Sequence, residues 1–247
     1  MILRSDETQD VAVPDSGPMR MQLFRPAIEG RFPGLLLFSE IYQVTAPIRR
    51  LAAMLAGNGY VVAVPDVYHE YEPAGTALNY DPIGTDRGNA LKITKSVAAF
   101  DADAKAGLTG LLAHPACNGR LGTFGVCLGG HLAYRAALDP RVYASACFYP
   151  TDIHSGTLGE GRSDDSLARM TELQAAIMFV WGRQDPHVPY AGRETIRARL
   201  EQVGAAYEWH ELNAQHAFLR DEGPRYDPAL FLQGMDLTLA FYRRTLA

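Results

Sequence analysis

The sequence predicts an α/β fold with a mainly parallel sheet and helices on both of its faces. Runs such as GLLLF at 34–38 and AIMFVW at 176–181 are apolar throughout, as expected of strands that are covered on both faces. Segments with helical spacing of apolar residues, such as Pro47–Ala56, separate such runs. Strands that alternate with helices predict βαβ units, and therefore a parallel sheet.

The individual elements follow from these patterns taken in chain order. The predicted strands are Met19–Phe24, Gly34–Phe38, Tyr60–Val64, Leu121–Val126, Val142–Tyr149, Ala176–Trp181 and Tyr207–Glu211. The predicted helices are Pro47–Ala56, Asn89–Leu112, the segment after the 121–126 strand, Ala191–Val203 and the chain from Pro228. The first helix ends at a Gly-Asn-Gly signal, and we expect a weak point near Gly107 in the second. Residues 69–86 and 151–163 are predicted to be long loops, and loops of that length are often functional.

Length and composition limit the number of domains, the kinds of partner and the cellular location that we predict. The chain has 247 residues and a formal net charge of −5, which suits one domain over 1–247 and argues against a nucleic-acid partner. The three cysteines have no metal-ligand spacing, so we predict no metal site, no cofactor and a reduced, cytoplasmic protein. No secretory signal and no apolar run long enough to span a bilayer is visible, which predicts no membrane partner. The patterns do not predict the oligomeric state.

The segment LGTFGVCLGGHLAYRAAL at 121–138 places a cysteine between an apolar strand and a helix. Such a strand–turn–helix is typical of a nucleophile elbow, here with sulfur in place of the more usual serine oxygen. Gly125 and Gly129 lie two residues before and after Cys127, where a side chain would crowd the turn. The alternative interpretation is a glycine-rich turn with a buried, inert cysteine.

Further reactive side chains follow other predicted strands. Asp185 follows AIMFVW, His216 follows the last strand, and Glu40 follows GLLLFS. Because the carboxyl ends of parallel strands form one edge of the sheet, we expect these groups to meet Cys127 there. A histidine can take the proton of a thiol and later activate water, and a carboxylate can orient the histidine. The order nucleophile, acid, histidine is that of the α/β-hydrolase fold.

Two other histidines and two backbone amides belong to this prediction. His187 lies on the loop of the acid and His131 in the first turn of the elbow helix, so both are worse placed than His216 to act as the base. The oxyanion of an acyl-transfer reaction needs N–H donors. We predict the amide of Leu128, at a helix N-terminus, and that of Ile41, after the GLLLF strand.

The chain resembles the dienelactone hydrolase (carboxymethylenebutenolidase) family. The matching segments include Glu40-Ile41-Tyr42, Gly125-Val126-Cys127-Leu128-Gly129, Gln184-Asp185-Pro186-His187 and His216-Ala217-Phe218. The resemblance implies an α/β-hydrolase fold with Cys127 as nucleophile and Asp185 and His216 as its partners. It also implies that Glu40 holds the resting thiol and takes its proton when substrate arrives.

Family members that cleave dienelactone hold its carboxylate with two arginines. The resemblance assigns these roles to Arg220 and, after a short gap in the long loop, to Arg87, with Tyr42 also binding substrate. Ala217 stands where these enzymes carry a serine, and Leu91 and Thr94 where they carry aromatic residues. These departures alter the pocket wall and leave the natural substrate open.

We therefore expect a cysteine-dependent hydrolase of a small lactone or carboxylic ester. One form of this hypothesis has a substrate that carries an acidic group. A thioesterase or a general carboxylesterase would use the same residues. A non-catalytic thiol redox sensor or binding protein is the alternative from another class. A complete triad argues against it, because a binding protein needs no acid–histidine pair.

Overall fold

The structure is a computed structural model that describes residues 2–247, and an eight-stranded sheet runs through it. The strands are β1 (Leu3–Val13), β2 (Gly17–Pro26), β3 (Phe32–Phe38), β4 (Val61–Pro65), β5 (Cys117–Val126), β6 (Val142–Phe148), β7 (Ala176–Gly182) and β8 (Tyr207–Leu212). They lie in the order β1-β2-β4-β3-β5-β6-β7-β8. Strands β1 and β2 are antiparallel to their neighbours and all other pairs are parallel, which confirms the predicted sheet.

Helices cover both faces of this sheet. They are α1 (Ala46–Gly57), α2 (Pro82–Thr94), α3 (Val97–Ala113), α4 (Leu128–Ala136), α5 (Tyr190–Val203) and α6 (Pro228–Thr245), with short 3₁₀ turns at Glu160–Arg162 and Ala168–Glu172. Apolar residues of α1 and α6 pack on one face of the sheet, and those of α3, α4 and α5 pack on the other. Among residues 2–247, no helix combines the length and apolar character that crossing a membrane requires.

The apolar runs of the sequence supply both cores at once. In β3, Leu36 and Phe38 belong to the core on the α3–α4 side, whereas Leu35 and Leu37 belong to the core on the α1–α6 side. Successive side chains of a strand point to opposite faces, so a strand buried on both faces has to be apolar at every position. This is why these strands can be recognised from the sequence.

Strand β1 has no counterpart among the predicted strands. It pairs with β2 in antiparallel register from Leu3↔Pro26 to Val13↔Gly17. Most of its residues are polar and exposed or half-buried, and only Val11 and Val13 are buried. An edge strand of this kind depends mainly on backbone pairing, which leaves little trace in hydrophobic patterning.

The prediction of one helix over 89–112 is wrong in its extent, and the weak point predicted near Gly107 is also wrong. The structure has two helices that meet at Lys95–Ser96, and α2 begins at Pro82, inside the segment predicted as loop. The Asp81 side chain caps α2, and the Ser96 side chain caps α3. The Lys95 ammonium is fully buried and bonds to Glu70 and Asp103 at 2.6 Å each. Tertiary ion pairing, rather than a weak helix former, therefore sets the break.

Gly107 has a packing role instead. A Cβ at this position would lie 3.0 Å from the Leu36 side chain, so glycine lets α3 approach β3 closely.

The topology brings the carboxyl ends of β3, β5, β7 and β8 to one edge of the sheet. The chain runs from β3 outward to β4 and then crosses back to β5 on the other side of β3. The adjacent parallel strands β3 and β5 therefore mark the point where strand order reverses, where α/β sheets bind ligands. Glu40 and Cys127 follow these two strands directly.

Candidate active site

The Cys127 turn is a strained connection between β5 and α4. Its backbone has φ 59° and ψ −124°, a region that L-residues rarely adopt and that costs about 1–3 kcal/mol. The flanking glycines make the turn possible: a Cβ at Gly125 would lie 1.9 Å from the Gly129 carbonyl oxygen. The Cys127 N–H donates to the Phe148 carbonyl at 3.1 Å. The turn holds the sulfur at the edge of the sheet, where it stays partly exposed while Cys117 and Cys147 are buried.

Gly129 offers a direct test of this packing. A Cβ there would lie 2.1 Å from the Phe38 carbonyl oxygen and 2.4 Å from that of Ser39, and neither backbone atom can rotate away. We expect Gly129→Ala to lower the free energy of unfolding by roughly 3 kcal/mol. The matched variant is Gly57→Ala at the end of α1, where a Cβ has no heavy atom within 4 Å, and it should be neutral or gain up to about 1 kcal/mol. Urea unfolding curves measure both values, and equal changes would contradict this account.

The acid and the histidine meet beside the sulfur. His216 Nδ1 donates to Asp185 Oδ2 at 2.6 Å, and Asp185 Oδ1 accepts the His187 backbone N–H at 2.8 Å. Both side chains are buried, so this hydrogen bond is shielded from water and fixes the orientation of the ring. Cys127 and His216 line the same cavity.

The charge of these neighbours determines the protonation of His216. Burial lowers the pKa of the ring, but the negative charges and hydrogen bonds of Cys127 and Asp185 outweigh this effect and raise the pKa to about 10. The protonated form of the His216 ring is thus favoured at this position.

The two rival histidines occupy different positions. The ring of His187 contacts the ring of His216 edge-on, with centroids 4.6 Å apart, and both oxygens of Asp185 are already engaged. His131 is fully buried, and its Nε2 bonds to Ser166 Oγ at 2.6 Å. Burial lowers its pKa to about 4. His131 does not line the cavity above the sulfur.

The predicted oxyanion donors are available. Leu128 is the first residue of α4, and Ile41 lies in the turn after β3. Within residues 2–247, neither amide donates a hydrogen bond to another group of the chain, and Ile41 lines the cavity that Cys127 also lines. Both N–H groups therefore remain free for an oxygen that develops negative charge.

Glu40 lies in the site but has other partners than the resemblance implies. Its Oε2 accepts a hydrogen bond from the Tyr80 hydroxyl at 3.2 Å and lies 3.6 Å from Arg220 Nη1. Burial raises the pKa of Glu40, although Arg220, His216 and Tyr80 act in the opposite direction. Within the described chain, no hydrogen bond joins Glu40 to Cys127.

The two predicted arginines differ in their positions. Arg220 lines the cavity, and its guanidinium lies 4.5 Å from the ring centroid of Tyr80 and 5.7 Å from that of Tyr42. Arg87 does not line the cavity. It is half-exposed and its Nε bonds to Glu72 at 2.6 Å. The register of α2 points Arg87 away from the site, so the structure does not bring it together with Arg220.

The cavity has a volume of about 470 Å³ and a mixed polar and apolar wall. Tyr42 contributes to the wall, with its hydroxyl 2.8 Å from Thr85 Oγ1. Sequence reasoning missed several residues of the site, namely Tyr80, Lys92, Asp152, His154 and Arg225. Three of them lie in the long loops at 69–86 and 151–163, whose length was the available signal. The other two lack any local pattern.

One cluster elsewhere has the composition of a metal site. Ligand atoms of His69, Glu70 and Asp103 lie within 4.8 Å of one another. The Lys95 ammonium, however, lies 2.6 Å from both carboxylates and already supplies the positive charge. This donor set therefore does not fit an added cation.

Comparisons with known proteins identify the family to which this sequence is similar. The sequence profile described as "Dienelactone hydrolase family" matches residues 19–246. A Saccharomyces cerevisiae protein named "Putative carboxymethylenebutenolidase" is 43% identical over 240 residues, which cover 93% of this chain and 88% of that protein. A Pseudomonas putida protein named "Carboxymethylenebutenolidase" is 30% identical over 203 residues, or 78% of each chain.

The fold comparison leads to the same group. A Klebsiella pneumoniae structure described as a "Putative Dienelactone Hydrolase" superposes with a TM-score of 0.79 and 23% identity, covering 99% of this chain and 100% of that one. This similarity confirms the α/β-hydrolase fold of the described residues.

Proposed function

This chain belongs to the dienelactone hydrolase family, and we propose that it hydrolyses a lactone or carboxylic ester through a Cys127–His216–Asp185 triad. The observation that carries the proposal is the juxtaposition of three side chains from three strand ends. Cys127 lies on a strained turn and lines the same cavity as His216, and Asp185 holds the His216 ring at 2.6 Å. Such an arrangement serves nucleophilic acyl transfer.

The reaction would proceed in two halves. His216 holds the thiol proton while the sulfur of Cys127 attacks the carbonyl carbon, and the oxyanion accepts hydrogen bonds from the amides of Leu128 and Ile41. The carbon–oxygen bond breaks, and the departing alkoxide takes the proton from His216, leaving a thioester on Cys127. Water then attacks this thioester, and His216 takes a proton from the water and returns it to the sulfur as the acid leaves.

The thioester intermediate is the feature to test. We expect brief mixing with p-nitrophenyl acetate to add one acetyl group to Cys127, detected by mass spectrometry of the intact protein and of its peptides. His216→Ala should slow the hydrolysis of this thioester more than its formation, because p-nitrophenolate leaves without a proton, so the acetylated fraction should rise. Cys117→Ala serves as the control, since Cys117 is buried. An acetyl group on any other side chain, with Cys127 free during turnover, would contradict the mechanism.

An anionic substrate is favoured by the polar wall around Arg220. Its planar guanidinium can bind a carboxylate with two parallel hydrogen bonds, although Glu40 and the faces of two tyrosines already contact it. A thioesterase or general carboxylesterase with neutral substrates would not use this charge. The proposal therefore places the substrate carboxylate at Arg220 and leaves Arg87 outside the binding site.

The two arginines give a matched pair of variants for this question. Arg220→Gln should raise KM about tenfold for a carboxylate-bearing lactone and change KM little for its neutral methyl ester, because only the anion loses a charged partner. Arg87→Gln should leave both KM values unchanged, since its partner is Glu72. Steady-state kinetics with the two substrates measure these KM values. An equal rise of KM on both substrates in Arg220→Gln would favour the neutral-substrate alternatives, and a selective rise in Arg87→Gln would restore its predicted role.

A further inference from the structure

A second cavity adjoins the active-site cavity. It has a volume of about 330 Å³ and shares three lining residues with it, Asn89, Lys92 and Asp152. The remaining wall consists of Ala90 and Ile93 from α2 and of Thr157 and Arg162 from the loop after β6. The two cavities therefore meet along one shared boundary, and the second extends away from Cys127, which lines only the first.

An ion pair lies at the shared boundary. Lys92 Nζ bonds to the two carboxylate oxygens of Asp152 at 3.1 and 3.0 Å. Asp152 also accepts hydrogen bonds from Thr151 at 2.7 Å and Thr157 at 3.0 Å. With these partners satisfied, Lys92 and Asp152 contribute no net charge to either cavity.

The second cavity combines an apolar side with one uncompensated charge. Asn89, Ala90, Lys92 and Ile93 recur at the spacing of one helix face, so Ala90 and Ile93 provide an apolar strip next to the boundary. Arg162 is exposed, and no carboxylate among residues 2–247 lies within ion-pair distance of its guanidinium. The carboxylate of Asp152, the one acidic residue of the wall, is already engaged by Lys92.

We propose that the second cavity is a subsite for an aliphatic chain that ends in a carboxylate, with Ala90 and Ile93 along the chain and Arg162 at its end. The substrate would then be a long ester whose reacting carbonyl lies at Cys127 and whose terminal carboxylate lies beyond the Lys92–Asp152 pair. This terminal carboxylate is distinct from one close to the reacting carbonyl, which Arg220 would bind. A single unpaired guanidinium matches one carboxylate in charge and geometry. This inference rests on the proposed function for the ester class, and it adds the length and the terminal group of the substrate.

Binding to the Cys127→Ala variant of the full chain tests the subsite without turnover. One series of ligands consists of monomethyl esters of straight-chain dicarboxylic acids of increasing length, with the free carboxylate on the acyl side. The other consists of acetate esters of ω-hydroxy acids, with the carboxylate on the alcohol side. Each ligand is paired with a neutral N-methylamide of the same length. Calorimetric titration at low ionic strength gives the ratio of the two Kd values and avoids charge screening.

We expect the preference for the free acid over its neutral partner to rise, in one of the two series, once the chain is long enough to reach Arg162. Adding Arg162→Gln should abolish this rise and weaken the long free acid about fivefold, the size expected for an exposed ion pair. The shorter acids, whose carboxylate can reach only Arg220, should be unaffected. Arg243→Gln is the matched control, because Arg243 is another exposed arginine and lines neither cavity. A preference that is the same before and after the Arg162→Gln substitution at every length, in both series, would overturn the subsite. Failure to trap the thioester would contradict the proposed function and leave this binding result standing.

Discussion

Turnover of p-nitrophenyl acetate is expected to fall by about 10⁴-fold when Cys127 is replaced by alanine. The sulfur is the only side-chain nucleophile in the proposed mechanism, so its loss removes the covalent route. The His216 imidazole and the free amides of Leu128 and Ile41 remain and can still promote some direct attack by water. Initial rates over a range of substrate concentrations measure the change in kcat/KM. Cys127→Ser is a milder test, because a hydroxyl can retain some activity.

The matched control for this experiment lies on the same strand. Cys117 begins β5, at the end opposite to Cys127, and is fully buried. Cys117→Ala should therefore retain the activity of the parent protein, and iodoacetamide should still label one thiol in it but none in Cys127→Ala. Full activity in a pure Cys127→Ala sample would exclude the cysteine mechanism. One labelled thiol in a parent protein that turns over no ester would favour the sensor or binding alternative.

The parts of the fold that can be predicted correctly are those with a local signature in the chain. Strands such as β3 and β7 are apolar at every position because both faces are buried, and α1 ends at a Gly-Asn-Gly segment. Strand β1 escapes prediction because it is polar and depends on its pairing with β2. The α2–α3 boundary escapes because Lys95 is buried by Glu70 and Asp103, a contact across 25 and 8 residues.

The same distinction separates the site residues. Cys127, Asp185 and His216 each follow a strand that can be recognised, and the parallel sheet brings such positions together. The role predicted for Arg87 depends on a gapped match in a long loop, where a small change in helix register turns a side chain away. Tyr80 reaches Glu40 over 40 residues of sequence, and only the length of its loop marks it. The cytoplasmic location stays a prediction.

Asp185→Asn is the second variant with a large expected effect, on the order of 10³-fold in kcat/KM. In the native protein, Asp185 accepts the His187 N–H with one oxygen and the His216 ring with the other. An asparagine that keeps its carbonyl on the His187 N–H must present its NH₂ group to His216 Nδ1. The ring would then carry its proton on Nε2, facing the sulfur, and could no longer accept the proton of the thiol.

The pH dependence distinguishes this effect from a loss of folding. The pKa of His216 is raised to about 10, so its favourable pairing is complete below the ordinary value near 6.5 and is lost as the pH rises through about 10. For an alkyl ester, whose leaving group needs a proton, kcat/KM should therefore decline near pH 10 in the parent and at lower pH in Asp185→Asn. Asp236→Asn, an exposed carboxylate on α6, should leave the profile in place. A decline at the same pH in Asp185→Asn and the parent would contradict the role of Asp185, because the carboxylate would then contribute nothing to holding the proton on His216.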